Sequence, residues 1–183
     1  MWSKLNNMKK NVLVYGCLSG SIFVVFMLLL GRYHSSFDSK RGMIYGYATM
    51  ILAFSFVFAG VKNYRDKYAG GNISFGKAFK TAILISLVSS CFYVASWLVV
   101  NKTMLPNFAE DYANAYIKST VASGASAEKI AKTTKEMEDF KTMYKNPVYV
   151  VLMTFLEVLP IGVLISLIAA LVLKRRKVTS QSV

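Results

Sequence analysis

The chain has 183 residues, 55% of them hydrophobic and only 17% charged, with a mean hydropathy of +0.42. That length suits one compact domain, and that apolarity excludes an ordinary soluble one. The formal charge of +13 does not make nucleic acid an expected partner, because many of the 22 Lys and Arg residues flank apolar runs and no recognition motif accompanies them.

Four apolar runs organise the chain: residues 11–31, 42–61, 81–101 and 146–173. A helix rises ~1.5 Å per residue and the hydrocarbon core is ~30 Å thick, so each run is long enough to cross. A helix is the natural form of an isolated span, because its backbone satisfies its own hydrogen bonds. The expected class is all-α: an integral membrane four-helix bundle forming a single domain over 1–183. Spans are expected at about 12–31, 42–61, 79–100 and 148–173. The first run follows Lys4, Lys9 and Lys10, as a signal peptide would. It is long and no A-x-A cleavage site follows, so it reads as an uncleaved span. The fourth run is the longest and is broken only by Glu157.

Basic residues suggest the orientation. The N-terminal segment has three lysines. The connection between spans two and three carries Lys62, Arg65, Lys67, Lys77 and Lys80, and the C-terminal segment carries Lys174, Arg175, Arg176 and Lys177. The short connection between spans one and two has only Arg32, Lys40 and Arg41. The positive-inside rule then places both termini in the cytoplasm. These cations read as interfacial anchors that hold the chain against anionic lipid headgroups.

The connection over residues 102–145 is nearly neutral, with seven lysines and six acids. Phe108, Tyr112, Ala115 and Tyr116 recur at helical spacing, as do Ile130, Met137, Phe140 and Tyr144. Ser123-Gly124-Ala125-Ser126 breaks the pattern, and Ser126 can cap a second helix with Glu128 in its first turn. The expectation is an extracytoplasmic helical hairpin between spans three and four. Its apolar stripe would lie on the bundle, on lipid or on a partner.

Glu157 is the residue that most invites a function. A charge at that depth costs about 2.5–3.5 kcal/mol or more, so such acids usually face the bundle. Pro160 lies three residues on and frees the Leu156 carbonyl, which predicts a kink. Counting depth brings Ser21, Thr49, Ser89, Ser90 and Tyr93 level with the acid. Together they form a candidate intramembrane polar site. One reading is a carboxyl that senses protons or ions or touches a ligand. The other is a hydrogen bond pinning span four to a neighbour. Small residues also recur four apart, at Gly16 and Gly20, Gly42 and Gly46, Ala78 to Ser90, and Gly162 to Ala170. Such stripes let helices approach closely, within the bundle or between copies. The span-four stripe lies roughly 140° around the helix from Glu157.

No catalytic constellation is visible. There is no nucleotide-binding glycine loop, no HExxH and no nucleophile elbow. His34 is the only histidine, while Cys17 and Cys91 read as small buried hydrophobes. No cofactor and no metal are expected. An uncharacterised structural, regulatory or partner-binding membrane protein is the favoured reading. A proton-coupled transport or channel subunit using Glu157 is the alternative, and an enzyme comes third.

Three segments carry a resemblance: Gly60-Val-Lys-Asn-Tyr-Arg-Asp66, Gly71-Asn-Ile-Ser-Phe-Gly-Lys-Ala-Phe79 and Phe155-Leu-Glu-Val-Leu-Pro-Ile-Gly162. The run from Ser123 to Glu128 and the Met143–Pro147 lead-in to span four add to it. The chain resembles the bacterial membrane family called domain of unknown function 4199 over nearly its whole length. The resemblance implies a four-span inner-membrane protein and no particular activity.

Overall fold

The computed structural model describes residues 2–33 and 39–175. His34, Arg176 and Lys177 lie outside the described residues. Six α-helices follow in order: α1 Trp2–Tyr33, α2 Ser39–Asn63, α3 Phe75–Thr103, α4 Phe108–Ala122, α5 Ala127–Tyr144 and α6 Pro147–Leu173. A π-helical turn, Tyr64–Tyr68, extends α2. The only non-helical pairing among the described residues is an isolated bridge between Ile73 and Arg175.

Four helices are long and apolar enough to cross a membrane: Asn6–Tyr33, Ile44–Tyr68, Phe75–Thr103 and Pro147–Leu173. The helices outrun the uncharged stretches that announced them. As a result α1 and α3, at 32 and 29 residues, exceed α6 at 27, although the fourth apolar run is the longest. Helix α6 continues through Pro160 without a break.

Helix α3 is the centre of the bundle and touches α1, α2 and α6. Its buried face is largely small: Ala78, Ala82, Ser86, Ser89 and Ser90 lie on it. Gly16 and Gly20 of α1 lie against Val88 and Phe92 of α3. Gly162 of α6 lies against Ser86 and Phe54, with Ser166 and Ala170 buried beside it. These small-residue stripes therefore serve packing within the chain. Gly46 differs, since among the described residues nothing lies where its Cβ would be. Phe23, Met50, Phe54, Val57, Ile85 and Val158 fill the space between the spans, and each is almost wholly buried. Cys17 and Cys91 are exposed, not buried, because they fall on faces pointing away from that core.

Helices α4 and α5 lie antiparallel, with Phe108 against Tyr144 and Tyr112 against Phe140. Ser126 caps α5 by accepting from the Lys129 N–H at 3.3 Å, and Asn146 caps α6 by accepting from the Val148 N–H at 3.0 Å. The foot of this pair packs on the bundle. The Phe108 ring meets Trp97 of α3 edge-on at 4.7 Å, and Leu105 is buried beneath it. Further out, Tyr112 and Tyr116 stack on each other and stay exposed.

Candidate functional site

Glu157 lies ten residues past Pro147, about 15 Å along a helix and so near mid-span. It is exposed, not turned into the bundle. The cause is angular. Gly162 and Ser166 claim the face of α6 that meets α3, and a residue roughly 140° away cannot share it. Its flanking residues Leu152, Leu156 and Leu164 are exposed too.

Of the residues placed level with Glu157, only Tyr93 reaches it. The Tyr93 hydroxyl lies beside the Glu157 carboxyl. Tyr93 is otherwise buried, its ring edge-on to Phe23 at 5.0 Å. The expected layer of hydroxyls around the acid does not form. The Ser21 hydroxyl donates to the Cys17 carbonyl at 2.8 Å, and that of Thr49 to the Tyr45 carbonyl at 2.8 Å. A helical Ser or Thr satisfies itself this way wherever no neighbour competes. Ser89 shares a 2.6 Å hydrogen bond with Ser19, which also donates to the Ala53 carbonyl at 2.7 Å. Those two bonds tie α1, α2 and α3 together. The Ser90 hydroxyl is buried and has no partner among the described residues. Pro160 is exposed on the outer side of α6.

One helical turn beyond Tyr93, a polar contact joins α3 to the hairpin. The Trp97 Nε1–H donates to the Tyr144 hydroxyl at 2.8 Å. Burial is the main reason the Tyr144 hydroxyl is pushed up to about 12. Replacing Trp97 with Phe keeps a ring against Phe108 but removes the donor and part of a buried indole. The expected cost is about 1–3 kcal/mol, lost hydrogen bond and cavity together, read as a lower melting temperature in detergent, with little change in helix content.

The opposite end of the bundle holds a second polar cluster that sequence reasoning missed. Asn11 of α1 is 3% exposed; its Nδ2–H donates to the Gly60 carbonyl at 2.9 Å, and its Oδ1 accepts from Asn63 at 2.7 Å. Arg65 was expected to anchor the chain at the interface, yet it is buried. Its guanidinium forks onto Asp66 at 2.7 and 3.2 Å and donates to the Leu173 carbonyl at 3.4 Å. The π-helical turn re-aims Arg65 inward and leaves Lys62 and Lys67 outside. Gly70 and Gly71, with φ of +63° and +77°, turn the chain so that Ile73 exchanges both backbone hydrogen bonds with Arg175 at 3.0 Å. Lys77, Lys80, Lys174 and Arg175 are exposed, as anchors should be. Asn11 and Arg65 could have been suspected only from their position at the edge of an apolar run, where a lipid anchor gives the same signal.

Parts of these clusters fall in the three segments that carry the resemblance. The family model described as Protein of unknown function (DUF4199) matches residues 14–175. The chain belongs to that family. No curated protein and no solved structure matches it. In DUF4199 terms, the first segment supplies Asn63, Arg65 and Asp66, the second supplies Ile73, and the third supplies Glu157 and Pro160. Two of the three meet at the Arg65 clasp, and the third carries the exposed acid. Among the described residues no three His, Cys, Asp or Glu side chains stand where they could hold a metal ion.

Proposed function

We propose that this DUF4199 protein is a partner-binding subunit of the bacterial inner membrane, with both termini in the cytoplasm. Its docking element is the outer face of α6 at Glu157. The observation that carries this reading is the exposure of a mid-span carboxyl beside a bundle interior filled by Phe23, Phe54, Met50 and Val158. An acid left facing lipid costs about 2.5–3.5 kcal/mol or more. A transmembrane segment that offers Glu157 a hydrogen-bond donor or a cation removes that cost. Charge complementarity favours a partner bearing Lys, Arg or a polar side chain at mid-span. The 12 Lys and Arg at the N-terminus, the α2–α3 connection and the C-terminus, against three between α1 and α2, support the orientation. Anionic headgroups around Lys62, Lys67, Lys77, Lys80, Lys174 and Arg175 complete the setting.

The test places a photo-crosslinking residue at exposed Leu156 in cells. A discrete membrane-protein adduct is expected. Glu157→Gln should keep most of it, since an amide still pairs, and Glu157→Leu should lose it. The purified Glu157→Leu protein should melt close to the parent, because leucine suits a lipid-facing site and gives up only the single contact with Tyr93. An unchanged adduct in Glu157→Leu would overturn the reading. So would a Glu157→Leu protein that melts markedly lower, which would mean that the acid serves the bundle itself. Loss of the adduct in Glu157→Gln as well would favour the transport or channel alternative, in which a titrating carboxyl is essential.

A further inference from the structure

At the foot of the hairpin, where α3 ends and α4 and α5 converge, the chain encloses an open cup of about 380 Å³. That is the lower end of the range for small-ligand sites, roughly 300–1,000 Å³. Its walls carry four charges, two of each sign: Glu110 from α4, Glu138 and Lys141 from α5, and Lys145 at the α5 C-terminus. Asn101 and Asn107 add two amides.

The four charges are not equivalent. Glu138 and Lys141 are already paired at 2.7 Å, and Lys141 is the less exposed of the two. Among the described residues neither Glu110 nor Lys145 is in an ion pair, although both line the same cavity. The cup therefore presents one carboxylate and one ammonium outside any ion pair, with Lys141 near enough to Glu110 to feel its charge. A simple cation would meet Lys145 and Lys141, and a simple anion would meet Glu110 and Glu138. A molecule carrying both charges meets neither conflict.

We infer that this cup binds a small zwitterion, its primary ammonium on Glu110 and its anionic group on Lys145, with the Asn101 and Asn107 amides beside them. Two sources supply that chemistry. One is a phosphoethanolamine headgroup, which the cup could meet because Asn101 lies in the last turn of a candidate span. The other is a free amino acid. Tyr144 also lines the cup and accepts the Trp97 N–H, so an occupant there is felt at Trp97.

That contact supplies the measurement. The chain has two tryptophans, Trp2 and Trp97, so Trp2→Phe leaves Trp97 as the sole emitter. The full chain in detergent is titrated with O-phosphoethanolamine, glycine and phosphocholine. Saturable change with phosphoethanolamine, glycine or both is expected. Phosphocholine should give none, since its quaternary ammonium has no N–H for Glu110. Glu110→Gln and Lys145→Met should each weaken binding about tenfold or more, as loss of a charge-assisted hydrogen bond does. Both positions are exposed, so both variants should fold, which circular dichroism checks. Retention of phosphatidylethanolamine over phosphatidylcholine in native mass spectrometry names the headgroup as the source. A glycine response without that retention names a free amino acid. No saturable response to either primary amine, or wild-type affinity in both variants, overturns the inference.

Discussion

Gly16→Ala should destabilise the bundle by about 1–3 kcal/mol, although the same change in a helix interior ordinarily stabilises by about 0.5–1 kcal/mol. The reversal comes from where the new methyl must go. A Cβ on Gly16 would stand 2.6 Å from Val88 Cγ1 and 2.7 Å from Val88 Cβ. Valine is stiff at χ1, so it cannot swing clear, and α1 must move off α3. Gly46→Ala is the matched comparison, since no atom of the described residues lies within 4 Å of its added carbon. It should leave the melting temperature unchanged or raise it. Val88→Ala combined with Gly16→Ala should recover only part of the loss, because alanine removes the Val88 Cγ1 contact and keeps the Cβ one. A Gly16→Ala protein as stable as Gly46→Ala, both melted in detergent, would show that α1 does not pack on α3 through this face.

Arg65→Ala should loosen the whole clasp end of the bundle. It removes the fork onto Asp66 and the donor to the Leu173 carbonyl, so the end of α6 loses its tie to α2. The backbone bridge between Ile73 and Arg175 lies next to that tie. Amide exchange at Ile73 and Arg175 should accelerate by about tenfold or more, while core amides of α3 stay protected. Arg65→Lys should recover little, because an ammonium cannot reproduce a planar fork. If Arg65 were only a headgroup anchor, lysine would serve equally well and neither amide would change.

The spans were readable because hydropathy is a property of a whole run and survives errors at single positions. The face of each span was partly readable. Small residues four apart marked the sides of α1, α3 and α6 that pack, and the angle from Gly162 to Glu157 already set the acid away from that side. The expectation that an intramembrane acid turns inward conflicted with that angle, and the packing face won. Arg65 was not readable. A cation at the end of an apolar run looks the same whether it meets phosphate or folds inward, and the difference is one π-helical turn. The bridge between Ile73 and Arg175 joins residues a hundred positions apart and leaves no local trace. Depth alone also overestimated the polar layer, since Ser21 and Thr49 bond to their own helices.

The central position of α3 has a consequence for how the chain is made. Helix α1 packs more extensively on α3 than on α2, and α6 packs more on α3 than on α2. During synthesis α1 and α2 therefore enter the bilayer before the surface that Gly16 and Gly20 were shaped for exists. For that interval α1 presents a glycine-lined notch to lipid, and any other small-faced helix nearby could occupy it. The order of translation thus makes the first two helices a waiting pair, and the arrival of the third is the step that commits the bundle.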